Sequence, residues 1–115
     1  MNLDDAAAKH MEWKVKFRVA ISKKEAMDAA TIGKDDCCEL GKWMHGPAKN
    51  TYGKVPEFSD AVAKHKMFHV EAGKIAQLIN AKKYTEAEGG LNGSAYSSAS
   101  NSVITALRIL KHHVK

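Results

Sequence analysis

Apolar positions recur at intervals of three and four residues along most of this chain, and no useful stretch alternates strictly between apolar and polar. An interval near 3.6 belongs to a helix and an interval of two to a strand, so the pattern predicts helices throughout. The first is expected from Asp4 or Asp5, either a good N-cap, to about Ala29, with His10, Trp13, Phe17 and Ile21 along one face. Gly33 then supplies a turn. A short second helix is expected from about Asp36 to His45, capped by Asp35 or Asp36 and ended by Gly46-Pro47, with a loop from Ala48 to Val55. The third is expected to begin near Pro56, a natural first helical position, and to reach about Lys82. Its inward stripe reads Phe58, Val62, His65, His69, Ala72, Ala76 and Ile79, which places two histidines in the middle of an apolar face. A polar link follows from Lys83 to Gly90. The last helix runs from Leu91, with Leu91, Ala95, Ser98, Ser102 and Ile109 on one side and Tyr96, Val103, Ala106, Leu107 and Leu110 alongside. Its first half is rich in serine and glycine, which are poorer helix formers. The expected fold class is all-α, a helical bundle.

Composition narrows this picture. At 115 residues the chain is expected to form one domain, residues 1–115, with a core large enough to stand without disulfides. The apolar share of 44% and charged share of 27% suit a soluble globular protein. No apolar run approaches the roughly 18 residues of a membrane span, and Met1-Asn2-Leu3-Asp4-Asp5 lacks the basic start of a signal peptide. A cytoplasmic location and no membrane contact are therefore expected. The net charge of +5 raises the question of nucleic acid. The lysines, however, are scattered, with no basic block and no interleaved aromatics, so a solvated lysine surface is the better reading and no nucleic-acid partner is expected.

The chemistry lies in the sulfur and imidazole groups. The two cysteines, Cys37 and Cys38, are adjacent, and disulfide geometry disfavours pairing between neighbours. Free thiols agree with a reducing compartment. His65 and His69 stack on one helical face and can hold one metal ion between them. Imidazoles buried without partners would cost free energy that a shared metal recovers. His10 lies on the face of the first helix that must point into a bundle. Together with Cys38 these make one thiol and three imidazoles, a complete tetrahedral zinc set with no open position for a catalytic water. Such a site stabilises or switches, so no enzymatic activity is expected.

The arrangement of His10 with Trp13-Lys14 behind it, then Cys38-x-Leu40-Gly41-Lys42-Trp43 with Gly46 after it, then His65 and His69, resembles the chemoreceptor zinc-binding domain family. The resemblance runs from about Ala7 to about Leu110, and the Cys-x-Leu-Gly-Lys-Trp run is its specific part. It implies a four-helix bundle with a short additional helix carrying the cysteine, and one Zn2+ held by His10, Cys38, His65 and His69. It further implies a regulatory sensor domain of bacterial signalling, of the kind attached to chemotaxis receptors or diguanylate cyclases, often as a homodimer. Zinc availability, or an oxidant such as hypochlorous acid acting at the zinc-bound cysteine, would be the signal. No cyclase domain or long methyl-accepting coiled coil lies within the chain, so an excised or free-standing domain is expected, with its output module elsewhere.

Other residues have plainer readings. Cys37 is turned about 100° from Cys38 on a helix and is expected to be a packed or partly exposed thiol. His45 suits the negative end of the short helix, and His112 and His113 belong to a basic tail. Trp13 and Trp43 are expected in the core, keeping water from the site, and Asp35 or Asp36 is a candidate for a bond to a ligand histidine. The alternative function is a di-iron bundle protein that binds oxygen, which needs several core carboxylates and Glu-x-x-His pairs that the histidine stripes lack. A catalytic zinc site would need a motif such as His-Glu-x-x-His, also absent.

Overall fold

The computed structural model describes residues 1–114. Seven helices account for it, in the order α1 (Leu3–Lys23), α2 (Ala29–Ile32), α3 (Glu39–His45), α4 (Pro47–Tyr52), α5 (Pro56–Asn80), α6 (Tyr84–Leu91) and α7 (Ser94–Leu110), with no strand among the described residues. The all-α bundle expected from the periodicity is what forms. Its long members are α1, α5 and α7, which pack on one another, while α6 packs against all three and α2 lies against α5. Phe17 of α1, Phe68 and Ile79 of α5, Leu91 of α6 and Val103, Leu107 and Leu110 of α7 form the fully buried centre, and His65 is buried among them.

The helix ends differ from the sequence expectation for identifiable reasons. The cap of α1 is Asn2, whose side chain accepts from the Asp5 amide at 3.1 Å, so Asp4 and Asp5 occupy the first turn and favour the helix dipole there. The helix stops at Lys23, not Ala29. Lys24 turns left-handed (φ 56°), its amide donates to the Ile21 carbonyl, and that of Glu25 donates to Ala20. This is the Schellman closure, which usually announces itself with glycine. Lys82 (φ 63°) closes α5 in the same way, with Lys83 N–H on the Leu78 carbonyl. A lysine in that position leaves no sequence signal.

Gly46-Pro47 was expected to end in a loop. Gly46 does end α3, but Pro47 then opens α4, because proline at a first helical turn forfeits no hydrogen bond. The polar link after Lys83 is also helical: α6 buries Ala87 and Leu91. The break at Asn92–Gly93 then changes the phase of the last helix. Tyr96, Val103, Ala106, Leu107 and Leu110 are buried, whereas Ala95, Ser98 and Ile109 of the other expected side are exposed.

Candidate metal centre

His10 on α1 and His65 and His69 on α5 are buried where those two helices meet, and Cys38 reaches them from the start of α3. Nε2 of His65 lies 3.1 Å from Nε2 of His10 and 3.0 Å from Nε2 of His69. Cys38 Sγ lies 3.3 Å from the His65 nitrogen and 3.6 Å from that of His69. All four ligand atoms fall within 4.8 Å of one another. A zinc tetrahedron with Zn–N near 2.0–2.1 Å and Zn–S near 2.3 Å has N···N edges of about 3.3 Å and N···S edges of about 3.6 Å. The three edges at His65 and the Cys38–His69 edge are close to these lengths, and the remaining pairs lie within 4.8 Å, so a small closing movement makes a zinc coordination sphere.

Its electronic arrangement points the same way. His10 Nδ1 sits 2.6 Å from the Ala6 carbonyl and His69 Nδ1 sits 2.8 Å from the Ile32 carbonyl. A carbonyl oxygen only accepts, so each Nδ1 carries the ring's hydrogen and donates it. In the neutral ring Nε2 is then a bare lone pair, and both lone pairs face the common centre. Nδ1 of His65 is buried with no polar partner among the described residues. Burial lowers the pKa of all three rings: His65 is pushed down to about 2, with His69 and His10 adding like-charge repulsion. For His10 burial outweighs the Ala6 carbonyl, and for His69 it outweighs the Ile32 carbonyl and the Asp35 carboxylate. Burial thus keeps the rings neutral, and the lone pairs are met by a hydrogen on His65 Nε2 or on the Cys38 thiol, or by a cation at the centre.

Cys38 is held differently. It is the N-cap of α3, in extended backbone (φ −83°, ψ 163°), and its sulfur accepts from the Gly41 amide at 3.3 Å. Asp35 and Asp36 are therefore not the caps: Asp35 accepts from His45 at 3.0 Å, and Asp36 takes the Cys37 thiol at 3.6 Å. Neither carboxylate is bonded to His10, His65 or His69. Gly41 is required by contact, since a Cβ there would lie 1.7 Å from the Asp35 carbonyl oxygen. Burial pushes the Cys38 thiol up, against the pull of the Gly41 and Leu40 amides. The sulfur is thus a proton-bearing thiol unless a cation replaces the proton.

Cys37 is partly exposed, as expected, and so are both tryptophans, which were expected in the core. Trp43 packs on Tyr52 and Phe58 and so joins α3 to α4 and α5. Trp13 stacks near Phe17 and lines a cleft of about 480 Å³ that has His10, Cys38 and Leu40 in its wall. Water exclusion is accordingly one-sided. His45 is exposed beside Asp35, and His113 lies 3.6 Å from the Glu57 carboxylate. The participants that sequence reading missed are the carbonyls of Ala6 and Ile32 and the amide of Gly41. Backbone groups leave no residue-type signal; Gly41 alone was visible, as part of the Cys-x-Leu-Gly run.

A helical bundle whose buried helices turn three imidazoles and a thiol toward one point is a metal-binding domain. The chain belongs to the chemoreceptor zinc-binding domain family, whose model matches residues 10–76, more than half of the sequence. The match begins at His10 and includes Cys38, His65 and His69, but it stops short of α6 and α7, where the resemblance was expected to continue. Zinc is accordingly the cofactor, and the family is a regulatory one. No curated protein and no solved structure matches the chain significantly. Among the described residues no helix is long and apolar enough to cross a membrane.

Proposed function

We propose that this chain is a cytoplasmic zinc-holding sensor domain in which His10, Cys38, His65 and His69 bind one Zn2+ and report its presence, or the oxidation of Cys38, to a bacterial signalling output. The observation that carries this reading is the pair of hydrogen-bonded Nδ1 atoms on His10 and His69, which commits two Nε2 lone pairs to a shared centre 3.0–3.1 Å from the His65 nitrogen. A cation between them meets both lone pairs and the His65 nitrogen at once. Three imidazoles and a thiol suit zinc, whereas a di-iron centre is built from bridging carboxylates.

Zinc, when bound, supplies the positive charge that keeps Cys38 as thiolate against its burial. The chain's own groups do the rest: Ala6 and Ile32 fix two rings, and the Gly41 amide steadies the sulfur. A two-electron oxidant such as hypochlorous acid, which passes its OH to the Cys38 thiolate and leaves as chloride, makes a sulfenic acid and weakens one donor of four, and the cleft beside Trp13 lets solvent species reach that donor. Loss of zinc at low concentration empties the same site by mass action. Either event is read out through α3, which follows the turn at 34–38 and passes through Gly46 directly into α4. The output is a chemotaxis receptor or a diguanylate cyclase, and the domain acts as a homodimer, for which the exposed Met11, Val15 and Val19 stripe of α1 offers an apolar face.

Zinc content and affinity of the wild-type chain and of Cys38→Ala test the reading. One tightly bound zinc per wild-type chain and a much weakened site in the variant are expected. Unchanged stoichiometry and affinity in Cys38→Ala would remove Cys38 from the ligand set.

A further inference from the structure

The segment from Met27 to Gly33, which includes α2, supplies none of the four candidate ligands, yet it is fastened to α5 at three places. The Ile32 carbonyl accepts from His69 Nδ1 at 2.8 Å. Gly33 lies against Gly73 so closely that a Cβ on Gly73 would stand 2.8 Å from the Gly33 Cα. The Asn80 side chain grips the Met27 backbone from both sides, Oδ1 accepting from the Met27 amide and Nδ2 donating to its carbonyl, each at 2.7 Å. His69, Gly73 and Asn80 are spaced by four and seven residues, so they share one face of α5. Sequence expectation had put part of this segment inside the first helix. In the structure the left-handed Lys24 releases it to lie along α5 instead.

We propose that Met27–Gly33 is a positioning element for the metal centre, in which the Gly33–Gly73 contact sets the distance at which the Ile32 carbonyl orients His69. Gly33 and Gly73 are positioning residues, and Asn80 holds the far end of the same element. The inference deepens the reading given above and rests on His69 being a zinc ligand. The physical reason is that a metal-bound histidine depends on the partner of its other ring nitrogen for both tautomer and ring angle, and losing that partner typically weakens metal binding about 10–100-fold. Glycine is needed at 73 because backbone, not a flexible side chain, stands where its Cβ would go. Any larger residue must push α2 outward and draw the carbonyl off the ring.

The test compares Gly73→Ala, Asn80→Ala and His69→Ala by zinc competition against a chromophoric chelator, and by 15N chemical shifts of the His69 ring in the zinc-free protein. Expected are a 10–100-fold loss of zinc affinity in Gly73→Ala, of the size typical for a lost outer partner, and a smaller loss in Asn80→Ala. The Nδ1–H signature of His69 should weaken in both before any zinc is added. If Gly73→Ala fails to fold, Asn80→Ala decides. Zinc affinity within about twofold of wild type, together with an intact Nδ1–H signature in the folded variants, overturns the proposal even if thermal stability falls. Unchanged affinity in His69→Ala instead removes His69 as a ligand, and the positioning role falls with it.

Discussion

His10, His65 and His69 are buried on two long helices whose other inward residues are core aromatics and aliphatics, whereas Cys38 is half-buried at the tip of a seven-residue helix beside an open cleft. The two sides of the proposed centre also differ in what holds them. Two of the histidine rings, His10 and His69, take their orientation from carbonyls of α1 and α2, and all three take their position from bundle packing, with Phe68 edge-on to His10 and His69. The cysteine takes its orientation from a cap and a tight turn under the Asp35 carbonyl. The first arrangement is part of the fold and cannot move without it. The second sits where the 34–38 turn meets α3, whose Leu40 and Met44 are buried in the core, so the sulfur can turn away at that junction while α3 stays packed, which is what a switchable ligand requires.

The sharpest way to break this comparison is to remove a member of each side. His65→Ala should lower zinc affinity on the order of a hundredfold or more, since four donors share a structural-site binding energy of roughly 10–16 kcal/mol. It should also perturb the core NMR spectrum, because His65 is fully buried at the centre. Cys38→Ala should weaken zinc comparably yet leave the resonances of Phe17, Phe68 and Leu107 in place. Spectra equally disturbed in both variants would abolish the distinction between platform and arm. Next in size, Gly41→Ala must displace the Asp35–Cys38 turn and should weaken zinc about tenfold, the lower end of the range for supporting groups. The Nδ1–H signatures of His10 and His69 should persist in the zinc-free form; their loss would show that the arm also organises the platform.

Protons sharpen the contrast further. Burial lowers the histidine pKa values and raises that of Cys38, so near neutral pH the zinc-free site holds neutral rings and a protonated thiol. Zinc binding should then release about one proton, from Cys38, and almost none in Cys38→Ala. Calorimetry in buffers of different ionisation enthalpy measures this, and release of two or more protons would contradict the neutral rings. For stability the signs are opposite at the two ends. Histidines of depressed pKa contribute fully above their unfolded value of 6.5, and that contribution is lost as pH falls below it toward about 2 for His65. The thiol, raised from 9.0, contributes below that pH and loses its contribution as pH rises through the folded value. The zinc-free chain should therefore lose denaturant stability on the acid side through the platform and on the alkaline side through the arm.

The smallest expected effect lies away from both. Tyr96 packs against Phe17 and Phe68 with its hydroxyl buried and without a partner among the described residues, and its pKa is pushed up to about 12 by burial. Tyr96→Phe removes an unsatisfied polar group and should raise unfolding stability by up to about 1 kcal/mol with zinc affinity unchanged. A destabilised variant would mean that the hydroxyl has a bonded partner, such as a buried water.

The helical class, the inward stripe of α5 and the four candidate ligands were legible in the chain, because periodicity and side-chain chemistry are local properties. Phe58, His65, His69, Ala72, Ala76 and Ile79 are buried as the spacing required, and His10 joins them. Less was legible where a signal was missing or doubled in meaning. Lys24 and Lys82 end helices without the usual glycine, Pro47 begins a helix where a stop was read, and the Asn92–Gly93 break resets the phase of α7. The alignment of the imidazoles was not legible at all. It depends on the carbonyls of Ala6 and Ile32, which every residue type carries, and on the closeness of Gly33 to Gly73, forty residues away in the chain. By itself the sequence determined which atoms can bind a metal, since that is chemistry. Only the tertiary structure decided that two of the three imidazoles present bare Nε2 lone pairs to one point, because tautomer and ring angle are set by whatever backbone the fold brings alongside.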